Sequence, residues 1–448
     1  MATKLAAVVA PARQIATRVL HRVVHDDAWA APTLDVELRR GAATRADAAL
    51  ATHIVYGSLR VAPELEAALS KHAKRPIKVD DWTRAALLGG AFQLLHLGRV
   101  PPHAVVNDTV ALVREKRGKR VAGFANAILR KLAAERPSNP EPPLELSVPS
   151  WLRASLEASI GEEHAACLLA VSAEPASIDL RVGAHLDREA IADAIREARP
   201  DARVTTTSLS PRGLRISGAG DPRALPGYTE GHFAGQEEGA QLIGLLVGAQ
   251  PGQRVLDACA GRGGKTTQLV EALGDQGEVV ATDLHEHRLE QIPEELARLR
   301  LSSSRLSTAC VDWSEGPGEV SGEFDHVLVD APCTGLGTLR RRPEILLRAS
   351  HEDAARMGET QLRILHNAAS MVGRGGSLLF AVCSPLAEEG SELIRRVDLP
   401  GFELVREEPS HLKSLCFGST GELPLGPWVP GAGAWADAYQ VYVWVNVG

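Results

Sequence analysis

The 448-residue sequence has no C-x-x-C pair and no H-E-x-x-H arrangement, and its six cysteines, Cys167, Cys259, Cys310, Cys333, Cys383 and Cys416, are scattered. That scatter excludes a zinc-ribbon pattern and a disulfide framework, so no metal site is expected and the thiols are expected to be free. Long apolar runs are also missing. No stretch approaches the roughly 18 uncharged apolar residues of a membrane-spanning helix, and the short run at residues 5–10 is broken by Pro11 and Arg13 before it could form a secretion signal. A cytoplasmic protein without membrane contact is the expectation. Aromatic residues make up only 4% of the chain, so aromatic stacking is not expected to dominate the binding of any nucleic acid, and Trp29, Trp82 and Trp151 read as core or rim residues.

Overall positive charge is lacking too, since the formal net charge is −7. Taken alone this argues against a polyanionic partner. The average conceals an asymmetry: residues 1–136 carry 22 Lys and Arg against 12 Asp and Glu, and the remainder carries 27 against 44. A basic front section is the electrostatic footprint of nucleic-acid binding, because each neutralised phosphate releases counterions. A solvated basic surface would explain the same charge.

Apolar residues form 44% and charged residues 23% of the chain, the balance of a globular protein, and its length implies two to four folded units. From residue 13 to about 135, apolar residues recur three and four apart, as in Ile15, Val19 and Val23 or Val110 and Val113. This predicts an all-α section with breaks at Gly41, Pro76 and Pro101-Pro102. Its densest basic cluster is REKRGKR at residues 114–120. Five prolines within residues 136–149 mark a linker. Helices near 151–159, 162–171 and 188–198, with strands near 178–182, 204 and 214, then predict a small α+β unit.

From about Gln236 strands alternate with helices. Strand candidates at 254–257, 278–283, 306–310, 326–330 and 377–382 are nearly continuous apolar runs, which suits a doubly wound, mainly parallel, Rossmann-like α/β sheet covered on both faces. The expected division is therefore an all-α domain at 1–137, a linker and small α+β unit at 138–230, and an α/β domain at 231–448. The Gly/Pro-rich residues 421–433 read as a surface loop.

The first of these strands runs into Ala258-Cys259-Ala260-Gly261-Arg262-Gly263-Gly264-Lys265-Thr266. Glycines at a strand-to-helix turn let the backbone approach a nucleotide-like cofactor at the carboxyl edge of the sheet. A phosphate-binding G-x-x-x-x-G-K-[ST] loop would need glycine at Cys259, and a dinucleotide fingerprint would need Gly or Ala at Thr266, so neither template fits. Asp283 ends the next strand about 20 residues on, where a carboxylate accepts hydrogen bonds from both ribose hydroxyls. S-adenosylmethionine meets that geometry without a pyrophosphate cradle. Asp312, after the third strand, is a candidate partner for the adenine amino group, although an acidic residue there is more often a helix cap.

The last two strands end in Asp330-Ala331-Pro332-Cys333 and Val382-Cys383-Ser384-Pro385. A free cysteine is usually a buried small hydrophobe, but these two follow directly on strand ends where open α/β sheets hold active sites. Thiols there suit methylation of cytosine, whose carbon 5 becomes nucleophilic once a thiolate adds at carbon 6. Asp330 is positioned to hold the exocyclic amine and ring nitrogen 3 of such a base. Lys265 or a helix N-terminus would depress the thiol pKa.

The strings LDACAGRGGKTT, DHVLVDAPCTGLGTLRRRPEI and LLFAVCSPLAEEG resemble the motifs of the Sun/Nop2 (RsmB/NOP) family of RNA cytosine-5 methyltransferases. The basic helical front resembles the NusB-type RNA-binding domain that precedes the catalytic domain in bacterial members acting on 16S ribosomal RNA. The resemblance implies Cys383 as nucleophile and Cys333 as the group assisting product release. It implies residues Cys259 to Lys265 with Asp283, Asp312 and Asp330 around S-adenosylmethionine, RNA as partner, and a monomer. DNA cytosine-5 methyltransferases use a Pro-Cys cysteine instead, so the reverse assignment, with Cys333 attacking, stays open.

The chain departs from the family pattern at Gly261-Arg262, where Ala-Pro is usual, at Val382, where Thr is common, and in lacking Asp-Gly-Phe-Phe near the C-terminus. These departures touch cofactor affinity and RNA choice rather than reaction type. Two other classes compete with this reading. A non-catalytic RNA-binding factor of the same shape would be free to lose Asp283, Asp330 or either cysteine, and all are kept. Amino-group methylation needs a stacking aromatic that Asp330-Ala331-Pro332-Cys333 lacks. The Arg340-Arg341-Arg342 cluster reads either as a phosphate grip or as a solvated turn.

Overall fold

The computed structural model describes residues 9–73, 79–138, 141, 143–406, 423–429 and 437–448; Pro76 and Cys416 lie outside them. Two compact units emerge, one from residues 1–153, 169–174 and 339–349 and the other from residues 154–168, 175–338 and 350–448.

The first unit is built on six helices, α1 (Pro11–His25), α2 (Ala30–Arg40), α3 (Arg45–Arg60), α4 (Ala62–Lys71), α5 (Asp81–His96) and α6 (Pro102–Ala134). Local signals set their starts. Pro11 occupies the first turn of α1, where its missing N–H costs nothing. Thr44 and Asp80 cap α3 and α5 by accepting the amides of Asp47 and Thr83. The periodic residues Ile15, Val19 and Val23 meet Ile54, Leu88 and Leu129 in one core. Gly57 is required there, since a Cβ would fall 2.0 Å from the Phe92 ring. Gly118 breaks α6 with a φ of 76°, and residues 114–120 are all exposed around that break.

Residues 339–349, far along the chain, belong to this helical unit. Glu344, almost fully buried, accepts the Ala30 amide at 2.9 Å. Arg348 donates to the Ala28 carbonyl at 2.6 Å, and Arg342 and Arg348 lie over the Trp29 ring at 5.2 and 5.1 Å. The phosphate-grip reading of this cluster does not hold for Arg340, which is buried beside Glu174 at 3.5 Å. Trp82 is a core residue as expected, but Trp29 is 45% exposed. His21 and His25, four apart on α1, stack on each other. Among the described residues no group of three His, Cys, Asp or Glu could hold a metal ion, and no helix is long and apolar enough to cross a membrane.

Two further helices, α7 (Ser150–Ile160) and α8 (Glu162–Ala173), precede the sheets. In the second unit β1 (Ile178–Val182), α9 (Arg188–Ala198), β2 (Arg203–Thr206), β3 (Gly213–Ser217) and β4 (Phe233–Gly235) form a small antiparallel sheet in the order β2-β3-β1-β4, with α9 on one face. β4 is not apparent in the sequence because three residues are too few to show alternation. It pairs with β1, so this sheet extends past residue 230. Buried polar and charged pairs lock the sheet to residues 236–271. Arg215 bonds Asp179 and Glu238, and Arg181 bonds Gln236, Glu271 and Thr267.

The larger sheet contains β5 (Arg254–Asp257), β6 (Glu278–Asp283), β7 (Leu306–Cys310), β8 (Phe324–Asp330), β9 (Val372–Val382), β10 (Phe402–Leu404), β11 (Leu423–Leu425) and β12 (Tyr439–Asn446). The order β10-β12-β9-β8-β5-β6-β7 makes β9 to β7 parallel, with β12 antiparallel on β9. The chain winds outward from β5 through β6 to β7, then returns to β8 on the other side. The switch point thus lies between β5 and β8, where such sheets bind ligands. The helices α10 (Glu238–Leu246), α11 (Gly264–Leu273), α12 (Glu286–Leu289) and α13 (Gln291–Arg298) precede β7, and α14 (Asp353–Ala369) and α15 (Ser391–Arg396) flank β9. One core lies against α10, α11 and α13, the other against α14 and α15.

The strands β5, β6 and β7 keep their predicted bounds, but β7, Leu306–Cys310 at the sheet edge, is largely exposed rather than covered on both faces. β8 and β9 start earlier, because a glycine-rich stretch from Gly373 to Gly376 carries no apolar signal yet still pairs Val372 with Phe324 across an irregularity in the ladder. Residues 423–425, expected in a loop, instead pair with β12 with Leu423 and Leu425 buried. The flanking Gly and Pro masked the alternation.

Candidate active site

The carboxyl ends of β5, β6, β8 and β9 bring together most of the candidate residues of the sequence motifs. After β5 the chain turns through Gly261 and Gly263, both left-handed with φ of 57° and 83°. Gly263 has no alternative, since a Cβ would sit 2.8 Å from Ile292. At Gly261 and Gly264 nothing lies within 4 Å of a Cβ position, which leaves the loop open toward a ligand. Asp283 at the end of β6 accepts the Gly261 amide at 3.0 Å and the His285 amide at 2.9 Å. One carboxylate thereby fixes the glycine turn and stands at the edge where a ribose would lie. Ala260 is anchored through its amide to the Thr282 carbonyl, and Arg262 is exposed.

Asp312 caps its own turn, accepting the amide and hydroxyl of Ser314 at 2.9 and 2.6 Å, the capping role that an acidic residue after a strand commonly takes. Its exposed carboxylate still contributes to the field at Cys259. Burial and the carboxylates of Asp257, Asp330, Asp283 and Asp312 together push the Cys259 thiol well above its usual pKa. Cys259 is therefore a neutral wall. The carboxylates of Asp283, Asp312 and Asp330 near this turn fit a cofactor that carries positive charge.

Lys265, on the first turn of α11, reaches across the switch point to Asp330 on β8 at 2.5 Å. Burial works against its charge, but Asp330 outweighs it, with help from Asp257 and Cys383, and the lysine pKa is held above its ordinary value. Asp257, the last residue of β5, stands in the string LDACAGRGGKTT but is not among the candidate site residues read from the sequence. It is fully buried, its Oδ2 accepts the Thr266 hydroxyl at 2.7 Å, and its Oδ1 has no partner. Burial raises its pKa to about 7, against the pull of Thr266 and Lys265.

The two cysteines meet. β8 and β9 are neighbours in parallel register, with Asp330 beside Ala381, and the loops leaving them place the sulfurs of Cys333 and Cys383 3.2 Å apart. The Cys333 thiol is pushed well above its usual pKa, first by its hydrogen bond with Cys383 and then by burial. Cys333 thus keeps its proton beside the Cys383 sulfur. The Cys383 carbonyl accepts the Gly337 amide at 2.9 Å, and Gly337 tolerates no side chain because a Cβ would strike the Ala438 carbonyl. Behind the pair stand Thr334, Gln361, Ser384 and Glu389, none of which sequence reasoning identifies. Thr334, Ser384 and Glu389 lie within the two cysteine strings, whereas Gln361 lies outside them.

A family described as 16S rRNA methyltransferase RsmB/F matches residues 245–418, and the NusB family matches residues 10–134. Ribosomal RNA small subunit methyltransferase B of Pseudomonas putida is 32% identical over 393 residues, covering 86% of this chain and 88% of that protein. The probable ribosomal RNA small subunit methyltransferase B of Bacillus subtilis is 28% identical over 87% of this chain and 89% of its own length. Among solved structures, PH0851 superposes over 98% of this chain and 99% of its own with a TM-score of 0.82 at 21% identity. NSun6 from Pyrococcus horikoshii, solved with SFG, covers 67% of this chain and 98% of its own, with a TM-score of 0.57 at 16% identity.

Proposed function

The chain belongs to the RsmB/F family of 16S rRNA methyltransferases, and on that premise we propose that it methylates carbon 5 of a cytosine in 16S ribosomal RNA through a covalent bond from Cys383. The observation that carries this reading is the Cys333–Cys383 contact at the switch-point edge beside the Lys265–Asp330 pair. Two thiols serve no purpose in a direct methyl transfer to nitrogen or oxygen. They suit a reaction in which one adds to the ring and must later be expelled.

S-adenosylmethionine would supply the methyl group, and the turn Cys259 to Lys265 with Asp283 and Asp312 would hold it, Asp283 serving its ribose and Asp312 its adenine. Asp330 accepts from the exocyclic amine of the base and stabilises protonation at nitrogen 3, and Lys265 holds that carboxylate in orientation. The Cys383 sulfur adds to carbon 6. The protonated Cys333 stabilises it as a thiolate before addition; after methyl transfer the carbon 5 proton passes to a solvent water acting as base, the carbon 5–carbon 6 double bond re-forms and Cys383 departs as a thiolate beside Cys333. The raised pKa of Cys333, which disfavours it as a thiolate, favours Cys383 as nucleophile over the reverse assignment. To meet both sulfurs the cytosine leaves its stack, which favours a loop, bulge or flipped nucleotide. The exposed basic residues 114–120 support RNA binding by the helical unit, and a ribosomal substrate implies work in the cytoplasm.

The test is covalent trapping. Cys333→Ser is expected to accumulate a denaturation-stable enzyme–RNA adduct, and Cys383→Ser to form none and to be inactive. Full activity without the Cys383 sulfur would end the proposal, and the opposite pattern of trapping would exchange the two roles.

A further inference from the structure

Glu389 has no part in the proposed mechanism, yet it is the fully buried carboxylate nearest the thiol pair in sequence, six residues after Cys383 on a single helical turn, Ala387–Glu389. Its Oε1 accepts the Thr334 amide at 2.8 Å and the Gln361 side-chain amide at 3.0 Å. Its Oε2 accepts the Thr334 hydroxyl at 2.5 Å. That hydroxyl lies 3.2 Å from the Ser384 hydroxyl. The same Gln361 amide donates to the Pro332 carbonyl at 2.9 Å. The residues before and after Cys333 and the residue after Cys383 are therefore gathered on one carboxylate and its glutamine.

A carboxylate with no solvent access is costly to bury unless its hydrogen bonds are filled. Here they are filled by the two loops that carry the thiols. Beyond the paired strands two single backbone bonds join the segments, from the Ala331 amide to the Ala381 carbonyl and from the Gly337 amide to the Cys383 carbonyl, so the spacing of the two loops depends in part on this cluster. The negative charge of Glu389 also adds to the influences that keep the Cys333 proton in place.

We propose that Glu389 is a positioning residue for the two-thiol centre, holding the Cys333 loop so that its protonated sulfur stays within reach of Cys383. The proposal rests on the covalent reading of the site. Cys383 is fixed mainly by its own strand, whereas Cys333 sits on a loop held through Pro332 and Thr334. Loss of the carboxylate should therefore harm expulsion of Cys383 more than its addition.

Glu389→Gln keeps the shape but replaces an acceptor oxygen with an amide that cannot accept from Thr334. In the full-length protein with RNA and S-adenosylmethionine, release of methylated RNA is expected to slow by on the order of 100-fold, as displacement of a reacting group can cause. Addition should slow much less, so that the trapped adduct accumulates toward the level of Cys333→Ser. Glu389→Asp, which keeps an acceptor, should restore part of the release rate, and Thr334→Val should reproduce part of the defect. Thermal melting of each variant reads folding separately. Addition and release falling together in Glu389→Gln, or release at the unaltered rate, would overturn the positioning role while Cys333→Ser still traps. Absence of an adduct in Cys333→Ser as well would overturn the covalent reading and this proposal with it.

Discussion

The sulfur of Cys333 lies 3.2 Å from that of Cys383 although 50 residues separate them in sequence. The hydrogen bond and burial together hold Cys333 in its neutral form. Only a thiolate reacts readily with an alkylating agent. Cys333 is accordingly expected to react with iodoacetamide at least about tenfold more slowly than an ordinary free thiol at neutral pH. Peptide mass spectrometry over a time course measures this, and faster labelling of Cys333 would contradict the assignment.

Two adjacent glycines in the cofactor turn should respond oppositely to alanine. Gly263 is left-handed and faces Ile292 at 2.8 Å, whereas Gly264 begins α11 with open space about its Cβ position. Gly263→Ala should cost about 2 kcal/mol or more from the backbone and the clash. Gly264→Ala should leave the melting temperature unchanged or raise it slightly, by up to about 1 kcal/mol of stability. If the open space receives the cofactor, Gly264→Ala will weaken S-adenosylmethionine binding, measured by calorimetry, without a loss of stability.

Asp257 makes stability depend on pH in an unusual direction for a carboxyl group. Its folded pKa of about 7 lies above the 3.8 of an unperturbed aspartate, so between those values the folded chain holds a proton that the unfolded chain has lost. Stability from this group is complete below about pH 4 and declines as pH rises toward 7. Asp257→Asn removes the decline. Urea midpoints at pH 5 and pH 8 should shift in favour of the variant at the higher pH, by on the order of a few kcal/mol. A constant difference between the two proteins across that range would show that Asp257 is already ionised.

The exposed basic residues 114–120 give the RNA prediction. Removing the whole helical section would strip the cover from residues 339–349, which fold with it, so neutralisation is the cleaner test. Arg114, Lys116, Lys119 and Arg120 changed to Gln leave the Arg117–Asp80 pair in place. The slope of log affinity against log salt should flatten by up to about 3, near 0.7 to 0.9 for each phosphate no longer neutralised. An unchanged slope would remove these residues from the RNA footprint.

Much of the fold was legible because periodicity and caps are local. The strands β5, β6 and β7 keep their predicted bounds, and Asp283, Asp330, Cys333 and Cys383 stand at strand ends because a parallel sheet must end where its apolar run ends. Elements short of a full period were not legible. Three-residue strands such as β4 and β11 carry no alternation, and Val372 pairs across a glycine-rich stretch without apolar signal. The Arg340 cluster looked like solvated charge because nothing near it in sequence reveals that Ala28, Ala30 and Arg60 enclose it.

The sequence by itself determined which residue types could perform the chemistry and at which strand ends they stand, since turn glycines, strand-end carboxylates and cysteines are written in contiguous motifs. Only the tertiary structure decided which of them touch. The ion pair of Lys265 with Asp330, the contact between the two thiols, and the burial of Asp257 and Glu389 arise from strand order and loop closure. They change pKa values through distance and desolvation, quantities that exist only once residues far apart in the chain have been brought side by side.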